Sequence, residues 1–325
     1  MKRHEIVFSL SFGFYMILVI NGQKDQSTDN ICKWLMYYEK EFIRIDENSY
    51  INKVNFDLLN EFYEFEINNV KINLHSISSV FYKNGTLNYQ INTDKDESKF
   101  IIDYNANEWN KLRFFLHFLI EKKAICLIGN IAHYEVNKLE VLTLANEIGL
   151  KIPESFITSS KDNVCRLLHE KKQLITKSIG EIKPFYSKDD LYLNYTREIN
   201  LFEKMSDNFV PSLLQVKVDK KYEIRTFFIK NRFWSIAIFS QENQDSIIDN
   251  RIINSNHITN FQIPADLESK IVKLATLLNL NSGSVDWIYS TDNNFYFLEI
   301  NPLGVFNNVS YYGNYNIEKE IAKLL

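Results

Sequence analysis

Cysteine is scarce in this chain: Cys32, Cys126 and Cys165 are the three among 325 residues. They stand far apart with no C-x-x-C pair, which excludes a disulfide scaffold or a thiolate zinc site and suggests a reducing compartment. Six scattered histidines form no H-E-x-x-H or H-x-E pattern, so the familiar zinc-hydrolase and deaminase signatures are missing too. Glycine (9) and proline (5) are few, and with the many Ile, Asn and Lys this reads as a coding bias. A net charge of −4 gives no bulk electrostatic case for nucleic acid or an anionic membrane. Long apolar runs are also lacking. Met1-Lys-Arg-His followed by Ile6 to Ile20 imitates a secretory signal, but no small-x-small cleavage site follows and the run is short for a span of ~20 residues. The expectation is a cytoplasmic protein that begins at Met16, with residues 1–15 an extension from an upstream start codon.

What is present is alternation of strand and helix over a length that allows two or three domains. Met16-Ile-Leu-Val-Ile20 reads as a first buried strand, followed by a helix near 29–39 and a strand over 41–46. Short strands are expected at 64–67, 70–74 and 79–82, the last running into a turn at Lys83-Asn84-Gly85. Apolar residues at 109, 112, 115, 116 and 119 predict a helix over 107–122. A helix from Leu139 ends at Gly149, where a C-terminal glycine belongs. Strands over 154–158 and 174–176 flank a helix through His169, and 177–212 is expected to hold a hairpin and a mobile loop. Strands over 213–218, 222–229 and 233–240, a helix over 266–278 and a closing helix over 316–325 complete the pattern. The expected domains are 16–123, a central lobe over 124–212 and a C-terminal lobe over 213–325.

The most informative stretch is Ser284-Val-Asp-Trp-Ile-Tyr, a polar turn, then Asn294 to Gly304. It reads as a hairpin carrying three oxygen ligands, Asp286, Glu299 and Asn301. Alternation puts Glu299 and Asn301 on one face, roughly 6.6 Å apart, and Leu298 and Ile300 in the opposite apolar layer. Two carboxylates and an amide oxygen suit a hard cation such as Mg²⁺ that also holds nucleotide phosphates. The bland reading is an edge hairpin with solvated polar residues, yet these acids sit among Val, Trp, Ile, Phe and Leu, where an unpaired charge is costly.

Upstream, Lys177 ends a short apolar strand and could reach phosphates as a point charge, although a solvated strand-end lysine is the commoner outcome. Leu213 to Asp219 joins two strand-rich stretches, and its main chain beside Val216 and Val218 could hold an adenine. Glu223 and Arg225 share one face of the next strand, and Asp249-Asn250-Arg251 follows. Two arginines converging on the hairpin could stabilise charge in phosphoryl transfer; two surface salt bridges are the alternative.

Taken in order, a strand-end Lys, a connector, Glu-x-Arg, Asp-x-Arg and Asp…Glu-x-Asn on a hairpin resemble the ATP-grasp superfamily. The finer resemblance is to microviridin- or graspetide-type peptide ligases, and among these to the ATP-grasp maturases of grasp-with-SPASM systems. It rests on Ile17 to Asp29, Asn137-Lys138, Gly149 to Pro153, Leu174 to Lys177, Glu223-Ile-Arg225, Ala237 to Gln241, Asp249-Asn-Arg251, Phe297 to Gly304, and the closing Asn314-Tyr…Glu318-Lys…Ile321-Ala.

The resemblance implies an α/β fold of α+β lobes, an ATP-grasp fold preceded by an N-terminal α/β domain. It implies that Asp286, Glu299 and Asn301 hold Mg²⁺, that Lys177 and Arg225 contact ATP phosphates, and that Gln215, Val216, Lys217 and Val218 line the adenine. Arg251 would sit near an acyl phosphate, with Asp249 a candidate base. The implied partner is a ribosomal precursor peptide with leader and core, with a SPASM-type protein as a further partner; a homodimer is the general expectation for a soluble chain. Two departures stand out: Lys177 is followed by Ser178-Ile-Gly180-Glu181 rather than a glycine-rich loop, and Val305-Phe306-Asn307 replaces a Gly-Gln-Phe type run. Two other functions fit the same residues: a ligase that joins free amino acids or extends a protein terminus, and a silent scaffold that binds without turnover.

Overall fold

The computed structural model describes residues 16–22, 24–90, 98–131, 135–171, 173–180, 185–187, 190–192, 196–199, 206–239 and 256–325. Residues 1–15 therefore lie outside the described part, as do Asp249 and Arg251. The chain divides into two compact units, Met1–Ala132 with Glu318–Leu325, and His133–Ile317.

In the first unit β1 (Met16–Asn21) is followed by α1 (Gln26–Tyr37) and β2 (Phe42–Ile45). The helix starts earlier than its apolar periodicity suggests because Asp25 is its N-cap, accepting from the Ser27 N–H at 3.1 Å. An excursion follows through β3 (Tyr50–Asp57), β4 (Phe62–Ile67) and β5 (Val70–Asn73) before β6 (Ile77–Lys83) and β7 (Asn88–Tyr89). Strands β1, β2, β6 and β8 (Cys126–Ile128) form a parallel sheet in the order β2-β1-β6-β8. Strands β3, β4, β5 and β7 form a second sheet in the order β5-β4-β3-β7. Leu18, Ile20, Val80, Phe65 and Ile72 all lie in one core shared by both sheets.

Between β7 and β8 runs α2 (Lys99–Lys123), eight residues longer at its start than its core-facing stripe predicts. Only its second half buries residues fully, namely Leu116, His117, Leu119 and Ile120. The first turns carry Phe100, Ile101, Ile102 and Tyr104, apolar but not core-facing, so the stripe read from the sequence misses them.

The second unit opens with α3 (Lys138–Glu147), β9 (Ser155–Ser160), α4 (Lys161–Lys171) and β10 (Leu174–Lys177). A backbone hairpin of β11 (Phe185–Ser187) and β12 (Asp190–Tyr192) matches the hairpin expected there. Next come β13 (Arg197–Glu198) and β14 (Asn208–Val216), and the antiparallel order β13-β10-β14-β9 makes one sheet, which packs Leu174 and Leu214 against Val164, Leu167 and Leu168 of α4.

The remaining strands are β15 (Lys220–Ile229), β16 (Arg232–Phe239), β17 (His257–Phe261), β18 (Ser282–Ser290) and β19 (Phe295–Asn301), with α5 (Ala265–Leu277) before β18. They form one antiparallel sheet, β17-β16-β15-β18-β19. One face packs on α3 and α5 through Ile224, Phe228, Val285, Trp287, Phe297 and Ile300. The chain closes with α6 (Asn307–Tyr312) and α7 (Ile317–Leu324), and Lys40 donates to the carbonyls of Ala322 and Lys323 at the end of α7. No helix among the described residues is long and apolar enough to cross a membrane.

Candidate active site

The face of the five-stranded sheet opposite α3 and α5 carries the polar residues. Strand pairing sets Arg225 directly opposite Asp286, and Asp286 directly opposite Glu299, so the three form a row across β15, β18 and β19. A parallel row holds Phe227, Ser284 and Asn301. Side chains directly opposite on one face of antiparallel strands are the closest cross-strand neighbours a sheet offers. The pairing of β18 with β19 is what makes residues thirteen positions apart in sequence a single site.

One element of the expected hairpin is corrected. Asp286 pairs with Glu299 but Trp287 pairs with Phe297, so Leu298 is the extra residue of a β-bulge. The bulge breaks strict alternation: Phe297 and Ile300 enter the core, while Leu298 stays half-buried outside it. Strand periodicity carried straight through the ligands cannot foresee this.

Arg225 holds Asp286 with two parallel hydrogen bonds, Nε to Oδ1 at 2.7 Å and Nη2 to Oδ2 at 2.8 Å. The Asp286 carboxylate raises the pKa of the Arg225 guanidinium above its already high value, against the opposing effect of burial. Glu299 is more open, with 41% of its side chain exposed, and lies 3.5 Å from Lys138 Nζ. Lys138 also donates to the Ser178 carbonyl at 3.0 Å, tying the first turn of α3 to the segment just after β10. Burial pushes the Lys177 ammonium down to about 8, with Glu299 and Asp286 pulling it up and Lys138 pushing it further down. Five charged groups from α3, β10, β15, β18 and β19 thus surround one space.

Asn301 ends β19, and its Oδ1 accepts from the Leu303 N–H at 3.0 Å, fixing the turn that follows. Gly304 is in the left-handed region at φ +57°, and a Cβ there would come within 2.9 Å of the Phe227 ring. A glycine is needed at that point both for the backbone conformation and for the approach. The donor set Asp286, Glu299 and Asn301 consists of hard oxygens on adjacent strands and so fits Mg²⁺ by its chemistry. Among the described residues no group of three His, Cys, Asp or Glu could hold a metal, so the amide of Asn301 would have to complete the set.

The connector residues divide. Gln215 and Val216 end β14, with Gln215 buried and donating to Ser155 Oγ at 2.9 Å. Lys217 pairs with Glu198 at 2.9 Å, and its N–H donates to the Gln173 carbonyl at 3.1 Å. Val218 is half-buried in the short connector before β15. Glu223 is buried beside Lys220, and desolvation raises its carboxyl pKa although Lys220 opposes it. Asp249 and Arg251 fall in 240–255, outside the described residues. The site residue that sequence reasoning passed over is Lys138. It was legible only as part of the Asn137-Lys138 pair at a helix start; nothing local marks it as facing Glu299.

No family model and no curated protein matches the sequence. Solved structures do. A RiPP-associated ATP-grasp ligase from Chryseobacterium gregarium, in complex with ADP and a leader and core peptide, superposes with a TM-score of 0.77 at 22% identity, covering 96% of each chain. Macrocyclase MdnC from Microcystis aeruginosa, bound with precursor peptide MdnA, gives 0.72 at 20% identity over 95% of this chain and 99% of that one. ATP-grasp ligase PsnB, complexed with a phosphomimetic variant of a minimal precursor, Mg and ADP, gives 0.67 at 16% identity over 97% and 98%.

The chain has the ATP-grasp fold.

Within that fold the α4-backed sheet and the five-stranded sheet are the two α+β lobes, and the row Arg225–Asp286–Glu299 lies on the face of the second lobe opposite α3 and α5. Lys177 comes from the first lobe and is the strand-end residue of β10. Strand pairing and charge contacts bring Lys138, Lys177, Arg225, Asp286 and Glu299 together, while Gln215 and Lys217 already have partners within the first lobe.

Proposed function

We propose that this chain is an ATP- and Mg²⁺-dependent ligase that closes side-chain ester or amide rings in a ribosomal precursor peptide. The observation that carries the reading is the charged row Arg225–Asp286–Glu299 faced by Lys138 and Lys177. Its support is the fold, shared over nearly the whole chain with ligases solved alongside precursor peptides and ADP.

In this reading ATP is a substrate. Lys177, Lys138 and Arg225 bind and orient its phosphates, holding the γ-phosphorus for in-line attack. Asp286, Glu299 and Asn301 would hold Mg²⁺, which when bound would supply charge neutralisation on those phosphates. A side-chain carboxylate oxygen of the peptide attacks the γ-phosphorus and ADP leaves, giving an acyl phosphate. A Ser or Thr hydroxyl, or a Lys amine, of the same peptide then attacks the acyl carbon and loses its proton as phosphate departs. Each ring removes one water from the peptide and consumes one ATP. Arg251 is assigned to the acyl phosphate and Asp249 to the proton, and Gln215 to Val218 to the adenine through their main chain. A SPASM-type protein is the proposed further partner.

The test is intact-mass spectrometry of a candidate precursor peptide with the protein, ATP and Mg²⁺, beside an Asp286→Ala/Glu299→Ala control. Loss of whole waters, absent from the control, is the expected result. An added amino-acid mass would instead establish a ligase for free amino acids. Peptide binding without mass change or ATP consumption would establish a silent scaffold.

A further inference from the structure

The bulge in β19 adjoins the carboxylate on which a cation would most depend. Arg225 already engages both oxygens of Asp286, at 2.7 and 2.8 Å, so Glu299 carries the freer carboxylate of the row. Glu299 lies on the outermost strand of the five-stranded sheet. Its cationic neighbour, Lys138 at 3.5 Å, belongs to α3, a helix that packs against the opposite face. Carboxylate and ammonium therefore meet around the sheet edge. A side chain on a regular strand stands roughly perpendicular to the sheet, whereas a bulge bends and twists its strand and so re-aims the side chain beside it.

The bulge serves that edge rather than the core. Trp287 pairs with Phe297 before it, and Asp286 with Glu299 and Val285 with Ile300 after it. Phe297 and Ile300 belong to the core cluster, and Leu298 between them does not. With Leu298 in regular register it would itself stand opposite Asp286, and Glu299 would turn toward the core face. The outer edge is pinned at the same point, because the Phe297 N–H donates to the Lys151 carbonyl at 2.8 Å. Beyond Ile300 the Gly304 N–H donates to the Asn301 carbonyl at 3.1 Å, and the Leu303 N–H to Asn301 Oδ1 at 3.0 Å. Glu299 and Asn301 are thus held between a bulge and a turn. Among the described residues this sheet has one other register shift, at Lys220 and Tyr222 where β15 begins.

We infer that Leu298 is a positioning residue for the metal site: as the extra residue of the bulge it sets Glu299 between Asp286 and Lys138. The role belongs to its backbone and not to its side chain. It rests on the Mg²⁺ role proposed for Glu299, which, unlike Leu298, would touch the cation.

Titration calorimetry of ADP binding to the full chain, with Mg²⁺ and with EDTA, tests it in the wild type, in Leu298→Ala and in a deletion of Leu298. The wild type should bind ADP more tightly with Mg²⁺. The deletion lets β19 run on as a regular ladder with the pairs Trp287–Phe297, Asp286–Glu299 and Ser284–Asn301 kept, so it should fold with unchanged circular dichroism. Its affinity in EDTA should stay near that of the wild type, while the gain from Mg²⁺ falls about tenfold, as when a group orienting a metal ligand is lost. Leu298→Ala keeps the bulge and should keep the gain. A full Mg²⁺ gain in the deletion overturns the proposal. So does a gain lost in Leu298→Ala, which would assign the role to the side chain, or a deletion that fails to fold, which would make the bulge structural. A wild type with no gain from Mg²⁺ overturns the metal role of Glu299 itself, and this role with it.

Discussion

Two polar clusters in this protein use the same residue types to opposite ends. In the first unit Asp25, at the start of α1, accepts from the Ser27 N–H and hydroxyl and from the Thr28 hydroxyl, at 3.1, 2.6 and 2.7 Å. Lys83 Nζ completes the set at 3.1 Å, and the Lys83 and Asp25 side chains are only 11% and 13% exposed. Burial alone would raise the Asp25 carboxyl pKa, but Lys83 and the two hydroxyls more than reverse this and hold it below its usual 3.8. In the second unit the row Arg225–Asp286–Glu299 is looser. Glu299 is two-fifths exposed, and Lys177 is half-buried, with desolvation driving its ammonium down to about 8. A closed network that saturates its acceptors holds a fold together. An open one whose lysine ammonium is made costly by desolvation is stabilised by an incoming anion.

Substitutions should separate the two clusters. The largest effect is expected from Glu299→Gln, which should lower ligase turnover by about two to three orders of magnitude, as loss of a transition-state charge contact does. Stability should stay within about 0.5 kcal/mol by urea denaturation, since the side chain is half in solvent. Lys83→Met should do the reverse: breaking a buried pair destabilises by about 3 kcal/mol, while nucleotide affinity per folded molecule stays unchanged. A fall in nucleotide affinity at constant stability for Lys83→Met would remove the distinction between the clusters.

A pH series sharpens the contrast. Lys177 has a folded-state value near 8 against 10.5 for an ordinary lysine, so between these the unfolded chain binds more protons and stability without nucleotide should rise with pH. Nucleotide affinity should move the other way, since phosphate favours the ammonium: strongest below pH 8, falling toward tenfold per pH unit above it. Titration calorimetry across that range should show both trends abolished in Lys177→Met. The smallest effect is expected for Lys138→Met, about tenfold weaker nucleotide binding with little change in melting, because Lys138 touches the row at one end. No change in affinity would remove Lys138 from the site.

Much of this was legible in the chain. Asp286, Glu299 and Asn301 stand out because acids flanked by Val, Trp, Ile and Phe need a partner, and Arg225 because Glu-x-Arg shares a strand face. Other features were hidden for physical reasons. The early start of α2 escaped because Phe100 and Tyr104 are exposed and do not belong to the core-facing stripe. Strand β3 escaped because Ile51, Val54 and Phe56 alternate with polar residues within a longer polar stretch, and the excursion separating β1 from β6 gives no local sign that they pair. The bulge at Leu298 depends on how β19 is paired, which periodicity does not record.

By itself the sequence determined the chemistry available: hard oxygen ligands, cations at strand ends, and strands and helices in an order that resembles ATP-grasp ligases. Only the tertiary structure decided which of those groups meet. Strand register placed Arg225, Asp286 and Glu299 in one row, and the packing of α3 against the second lobe brought Lys138 to Glu299. Contacts between residues 61 or 161 positions apart arise from pairing and packing energies that no local pattern encodes.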